Sequence, residues 1–370
     1  MKKRWTFASL ATKISFKKKE KIDFHSELKR RVNRYFEDNN LDIKGTWPFY
    51  LKAIFFISTY WICYSIIVWA DFQFAFKLLS FFVMGICVSG IGFNVMHDAA
   101  HGAFSKKDWM NNLMGYSLNS IGGNLFTWKI QHNILHHTYT NLYHYDEDLD
   151  AGIVVRLSPQ APYRPHHKYQ HIYAWFAYSL VHLSWIIIKD FKKISHYNGS
   201  GLTYQNKAKP TKEVGIIVLT KLIYLFYMVY VPLVYSNMTV GQFLTGFIVM
   251  SFTAGVILSV VFQLAHVVEG TAHPTPDETG IVENNWAIHQ IETTANFSTE
   301  NPVVTWFTGG LNFQIEHHLF PKICSAHYPA ISKIVKEMSD EYGVTYLNTP
   351  GFWDAVYSHY SSLRKLGTPV

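Results

Sequence analysis

The sequence predicts an all-α integral membrane protein, with four transmembrane helices in two hairpins and a cytoplasmic helical cap that carries three histidine clusters. Three observations predict this fold. Of the 370 residues, 16% are charged and 49% are hydrophobic, whereas soluble domains carry about 25% charged residues. Four long apolar runs are joined in pairs by short links that hold almost no basic residues. Histidines recur at helical spacing beside these runs.

The apolar runs define the two hairpins. Residues 53–70 and 78–96 carry no charge and are joined by the segment DFQFAFK. Residues 214–235 and 240–265 form the second pair, joined by SNMT. A helix needs about 20 residues to cross about 30 Å of hydrocarbon, so each run is near the required length. Lys221 lies inside the third run, where a central lysine costs roughly 2.5–3.5 kcal/mol, and we expect its ammonium group to snorkel to the interface.

Basic residues predict the orientation in the membrane. They concentrate in residues 1–48 and 97–212, so the positive-inside rule places both termini and all three clusters in the cytoplasm. A basic tail can also bind nucleic acid, but the apolar runs favour an anionic membrane surface, and we expect no nucleic-acid partner. We expect residues 1–48 to form a basic cytoplasmic segment and residues 49–370 to form a single membrane domain.

A fifth apolar run, residues 172–188, could form an additional transmembrane span. If it crossed the membrane, the third cluster would lie on the opposite side from the first two. The run is short for a span and is interrupted by His182. We therefore predict an interfacial or re-entrant helix there.

The histidine clusters, here called boxes one, two and three, read HDAAH at 97–101, HNILHH at 132–137 and QIEHH at 314–318. Residues four apart share a helix face, so each box presents its side chains to one side. The fourth run is long enough to carry one more histidine into the cap. The candidate metal ligands are His97, His101, His132, His136, His137, His266, Gln314, His317 and His318.

This ligand set predicts two metal ions. A single histidine pair on a helix is more often an ordinary surface feature than a metal site. Three such pairs on one membrane face are better explained by metal binding. Neutral imidazole suits iron, zinc, copper and nickel, and one tetrahedral zinc takes four ligands. Nearby carboxylates are candidates for orienting the imidazoles: Asp98, Glu316, Glu147, Asp148 and Asp150. The acidic run YDEDLD is equally compatible with a solvated loop, and Asp146 within it has no assigned role.

The order and spacing of these boxes and hairpins resemble the membrane fatty acid desaturase family. The glutamine that heads box three is similar to the front-end desaturases, which insert a double bond between an existing one and the carboxyl end. The stretch HNILHHTYTNLYHYDEDLD resembles bacterial members described as linoleoyl-CoA desaturases.

The resemblance implies an O2-dependent fatty acyl desaturase of the bacterial inner membrane. It implies two irons bound by the box histidines, His266 as the isolated histidine after the fourth span, and Gln314 as a ligand or a holder of water. It also implies an apolar tunnel for an acyl chain, carried on coenzyme A or a phospholipid, and two electrons per turnover. Many front-end relatives carry a fused b-type cytochrome with an HPGG motif. This sequence has no HPGG, so we expect a separate carrier such as a ferredoxin or a free b-type cytochrome.

Three other functions remain open at this point. A di-iron hydroxylase of lipids, sterols or carotenoids would carry similar boxes, although QIEHH favours desaturation. A membrane zinc hydrolase would need fewer histidines and a carboxylate that activates water. A haem-binding or metal-transport protein would place paired histidines inside opposed spans, whereas these boxes lie outside the apolar runs.

Overall fold

Four helices among the described residues are long and apolar enough to cross a membrane. They are Trp47–Trp69, Phe74–Ala100, Pro210–Tyr235 and Val240–His266, here called the first to fourth spans. The structure is a computed structural model and describes residues 14–17 and 24–369. The prediction of a mostly helical membrane protein is confirmed. The first span begins earlier than its apolar run because a proline near its start fits the first helical turn.

The remaining elements are short and mostly helical. They are Phe24–Asp38, Asp108–Gly115, Ser117–Ser120, Leu125–Trp128, Lys129–His136, His137–Tyr139, Pro165–Tyr169, Gln170–Ser179, Val181–Ser184, Trp185–Lys189, Asp190–Gly199, Leu202–Gln205, Trp286–Thr293, Pro302–Thr308, Gln314–Leu319, Ser325–His327, Tyr328–Tyr342 and Phe352–Leu366. Two small parallel strand pairs depart from the all-α prediction. Ser15–Phe16 pairs with Ile281–Val282, and Asn296–Phe297 pairs with Asn348–Thr349.

The second span packs closely against the fourth because glycines lie at their contact. A Cβ atom added to Gly85 would lie 2.5 Å from the carbonyl oxygen of Met250, and one added to Gly246 would lie 2.2 Å from the Phe81 ring. Small residues let membrane helices approach to backbone contact. The two spans that end at His97–Ala100 and at His266 are thereby held side by side.

The links between the spans also meet. Asn237, in the link between the third and fourth spans, donates a hydrogen bond of 2.9 Å to the Asp71 carboxylate, in the link between the first and second. His97 and His266 lie at the other ends of their spans. The links and the histidines therefore lie at opposite ends of the bundle.

The apolar run 172–188 does not form one straight helix. Helices Pro165–Ser179 and Val181–Gly199 meet at a bend of 52°. Its apolar side chains Ile172, Phe176 and Ile187 are exposed. A bend of this kind fits a re-entrant segment and also fits one broken span, which would be the fifth. The interfacial or re-entrant topology therefore stays a prediction.

Lys221 is buried and does not snorkel to the interface. Its ammonium group donates to the Asp190 carboxylate at 2.6 Å and to the carbonyl oxygens of Gly122 and Trp185, both at 2.5 Å. The bent segment supplies both Asp190 and Trp185, so a partner for the charge lies within the protein. The ion pair between Lys221 and Asp190 cannot be predicted from the sequence, because the two residues lie far apart along the chain.

Part of the basic N-terminal segment packs against helix Tyr328–Tyr342 and box three. Helix Phe24–Asp38 buries one row of apolar side chains, and Arg31 binds Glu341 of helix Tyr328–Tyr342 at 2.7 Å. That row shares a hydrophobic cluster with Ile315 of box three. Of the predicted basic segment 1–48, residues 1–13 and 18–23 lie outside the described residues.

Candidate metal centre

Box two lies on a π-helix rather than the predicted α-helix. Asn124 caps helix Leu125–Trp128 by accepting a hydrogen bond from the backbone N–H of Thr127, and the chain continues as a π-helix over Lys129–His136. Hydrogen bonds from i to i+5 widen the winding, so positions i+4 and i+5 both return near the face of position i. The His132 ring accordingly lies 5.0 Å from that of His136 and 4.9 Å from that of His137, between centroids.

The boxes converge into two sets of ring nitrogens, each with its ligand atoms within 4.8 Å of one another. The first set comprises His97, His101, His132 and His317, and the second comprises His136, His266 and His318. Two further groups join these sets: His137 with His317 and His318, and His132 and His136 with Asp148.

One distance within the first set matches shared coordination. The Nε2 atoms of His97 and His132 lie 3.3 Å apart. Two nitrogens that each bond one metal at about 2.1 Å, at nearly right or tetrahedral angles, lie roughly 3.0–3.4 Å apart. This distance fits two ligands of one ion, and it also fits a hydrogen bond between the two rings.

Most of the ring nitrogens in these sets have no hydrogen-bond partner among the described residues. The Nε2 atoms of His101, His136, His317 and His318 are buried and accept no hydrogen bond from the part of the chain that the structure describes. A buried polar atom without a partner costs about 1–3 kcal/mol. These unpaired nitrogens lie close together, and metal ions bound among them would use their lone pairs.

Two aspartates fix the tautomers of box two. His132 donates from Nδ1 to Asp148 at 2.9 Å, and His136 donates from Nδ1 to both carboxylate oxygens of Asp146, at 2.9 and 3.0 Å. When Nδ1 carries the proton, Nε2 keeps a lone pair for a metal. Asp146, which had no assigned role from the sequence, is thus a direct partner of a box histidine.

Neutral groups contact Nδ1 of both histidines of box three. Nδ1 of His317 lies 3.2 Å from the Tyr328 hydroxyl, which can accept or donate, and His318 donates from Nδ1 to the Gln290 side-chain oxygen at 2.8 Å. Sequence reasoning missed both partners. Neither residue lies at ligand spacing from the box, so no pattern in the sequence distinguishes either of them.

Burial keeps most of these imidazoles neutral. It lowers the pKa of His132 to about 3 and the pKa values of His101, His137, His317 and His318 well below the ordinary value, with a further decrease from neighbouring imidazoles. Neutral histidine is the form that binds a metal. For His136 burial also acts to lower the pKa, but the negative charge of Asp146 and its hydrogen bond outweigh burial and raise the pKa.

The other predicted carboxylates face away from the ring nitrogens. Glu147 binds Lys193 and Tyr197, each at 2.6 Å, on helix Asp190–Gly199. Asp150 accepts from the backbone N–H of Gly152 at an exposed turn. Successive side chains of the irregular loop point in different directions, so Asp146 and Asp148 reach the histidines while their neighbours do not.

Three more predicted residues lie within the boxes themselves. Asp98 accepts hydrogen bonds from the backbone and hydroxyl of Ser325, and its Oδ1 lies 3.7 Å from Nδ1 of His97. Glu316 accepts from Asn296 at 2.8 Å and from Tyr346 at 2.9 Å, and burial raises its pKa to about 7. Gln314 is buried at the first residue of helix Gln314–Leu319, and its role as a ligand stays a prediction.

Comparison with known proteins decides the family. The sequence profile described as "Fatty acid desaturase" matches residues 73–350, which includes all three boxes and His266. The chain belongs to the fatty acid desaturase family. It is therefore an oxidoreductase, and the resemblance read from the boxes is confirmed.

Several curated desaturases match almost the whole chain. An sn-1 linoleoyl-lipid 6-desaturase of Arthrospira platensis is 35% identical over 364 residues, covering 97% of this chain and 96% of that protein. One of the same name from Synechocystis sp. is 34% identical over 360 residues, covering 96% and 98%. An acyl-lipid (8-3)-desaturase of Physcomitrium patens is 37% identical over 358 residues, covering 94% of this chain and 72% of that desaturase.

Proposed function

We propose that this desaturase is a front-end enzyme that uses O2 and two irons to insert a cis double bond on the carboxyl side of an existing one. The observation that carries the proposal is the convergence of buried, unpaired ring nitrogens into two sets. Desaturases generally use iron, and imidazole is a suitable ligand for it.

The two sets would hold one iron each. His97, His101, His132 and His317 would bind the first, and His136, His266 and His318 the second, with His137 between them. When bound, iron supplies the O2-dependent chemistry that removes two hydrogens from neighbouring methylenes. The overall reaction consumes one acyl chain, one O2, two electrons and two protons, and it yields the unsaturated chain and two waters.

The protein's own residues orient these ligands and exclude water. Asp146 and Asp148 hold the tautomers of box two, as described above. Trp128 stacks on the His132 ring at 4.4 Å between centroids. Phe262 packs against two histidines of the second set, with its ring centroid 5.2 Å from that of His136 and 4.7 Å from that of His266. Aromatic walls of this kind keep bulk water from a reactive centre.

The substrate is proposed from the relatives and the membrane setting. Two relatives are named as linoleoyl-lipid 6-desaturases. We propose a linoleoyl chain esterified to a membrane lipid, with coenzyme A as the other possible carrier. Electrons would come from a separate ferredoxin or b-type cytochrome at the cytoplasmic face of a bacterial inner membrane.

Expression in a host without polyunsaturated fatty acids tests the proposal. Cells are fed linoleate together with both candidate electron carriers, and new double bonds are located by mass spectrometry in separated phospholipid and acyl-CoA fractions. A His136→Ala variant is the matched control, since it removes one ligand of the second set.

Each product has a distinct meaning. A new bond on the carboxyl side of the existing one, absent in the variant, supports front-end desaturation, and its first appearance in phospholipid supports a lipid-linked substrate. A bond introduced into saturated chains would reject the front-end assignment. A hydroxylated product would favour the hydroxylase. No product with either carrier would overturn the proposal.

A further inference from the structure

Gln290 links box three to the end of box two. It lies on helix Trp286–Thr293, and its side chain is fully buried. Its oxygen accepts a hydrogen bond of 2.8 Å from Nδ1 of His318 and lies 2.8 Å from the Thr140 hydroxyl. That hydroxyl lies 2.7 Å from the carbonyl oxygen of His136 and 3.2 Å from the same Nδ1, so Gln290 is the nearer acceptor for His318. Thr140 directly follows helix His137–Tyr139, which continues box two, and is itself fully buried.

The orientation of this amide determines the tautomer of His318. With the oxygen toward the imidazole, Nδ1 carries the proton and the unpaired Nε2 faces His136 and His266. With the amide reversed, its N–H would donate to Nδ1, and the imidazole proton would move to Nε2, inside the set. A protonated Nε2 binds no metal.

We propose that Gln290 is a positioning residue that holds His318 in its metal-binding tautomer, and that its loss weakens metal binding mainly at the second set. The inference rests on the proposed two-metal centre and extends it. The histidines of the first set have other partners, because His132 donates to Asp148 and Nδ1 of His317 contacts the Tyr328 hydroxyl. We therefore expect the main effect of Gln290 at the set of His136, His266 and His318, with a smaller one where His318 adjoins His137 and His317.

Three substitutions separate positioning from a purely structural role. Gln290→Leu keeps the approximate volume but removes the acceptor. Gln290→Glu supplies acceptor oxygens at the same place and cannot present an amide N–H. Gln290→Met keeps an unbranched chain of similar length and serves if the leucine variant does not fold.

Gln170→Leu is the matched control for loss of a buried glutamine. Gln170 is also fully buried, and its amide binds the backbone of Arg156 and the carbonyl oxygen of Leu363, not a box histidine. Any general effect of removing a buried amide will appear in this variant too.

The readout is Co²⁺ binding to purified full-length protein, with bound metal counted by mass spectrometry and affinity measured from the cobalt absorption bands. We expect two ions per chain for the wild type, Gln290→Glu and Gln170→Leu. We expect about one for Gln290→Leu or Gln290→Met, because loss of a residue that orients a ligand weakens metal binding by about 10–100-fold.

Other results would overturn the inference in distinguishable ways. Two tightly bound ions in the leucine or methionine variant would reject the role of Gln290 and leave the proposed centre intact. Equal losses in the glutamate and leucine variants would reject the acceptor argument. A wild-type protein that binds fewer than two ions would reject the proposed two-metal centre, and the role of Gln290 with it.

Discussion

Asp146 and Asp148 give the histidines of box two charged hydrogen-bond acceptors, which fix each tautomer and increase the basicity of the ligand. Asp146→Asn should therefore weaken metal binding at His136 by about 10–100-fold. The measurement is the Co²⁺ dissociation constant of the purified protein. Asp150→Asn, at the exposed end of the same acidic run, is the control and should bind like the wild type. An equal loss in both variants would contradict the role given to Asp146.

Spacing in the sequence was sufficient to find the histidines but not their partners. The box residues repeat at intervals that a helix brings to one face, so they could be identified without a structure. The partners lie on other elements: Gln290 precedes box three by a whole helix, and Tyr328 follows it on the next long one. Within YDEDLD, the conformation of an irregular loop decides which acidic side chain faces the metal centre, and no sequence periodicity reports it.

At the scale of elements, the long apolar runs predicted all four spans, because hydrophobic length is a property of composition. The π-helical winding of box two was not predictable, since the same residues fit an α-helix. For the bend between helices Pro165–Ser179 and Val181–Gly199, the sequence showed only that His182 interrupts an apolar run. The burial of Lys221 depends on a partner supplied by that bent segment.

The Lys221–Asp190 pair joins the third span to the bent segment and should be needed for their packing. Lys221→Met leaves the Asp190 carboxylate buried without its cation, and breaking such a pair costs about 3–5 kcal/mol. We expect a lower midpoint of thermal unfolding in detergent at a fixed heating rate. Adding Asp190→Leu removes the buried, unpaired carboxylate and should restore much of the lost thermal stability. A double variant less stable than Lys221→Met would contradict this account.

At the scale of the whole molecule, the arrangement of the spans determines whether the three boxes can share one side. The hydrogen bond between Asp71 and Asn237 supports four spans, because it requires both links to lie on the same side of the membrane. If the bent segment also crossed, the second link would move to the opposite side and could not reach the first. Hydropathy alone does not decide between four and five spans. The contact between the two links favours four.

Cysteine labelling in intact cells of a bacterial host tests this topology. The native cysteines Cys63, Cys87 and Cys324 are buried, so an impermeant maleimide will report on introduced sites. Gln73, Lys107, Gln205 and Glu278 are exposed and are replaced by cysteine one at a time. With four spans and cytoplasmic boxes, Gln73→Cys is labelled in intact cells, whereas the other three variants are labelled only after lysis. If the bent segment crossed, Gln205→Cys and Glu278→Cys would also be labelled in intact cells, and box three could not join the other boxes in one centre.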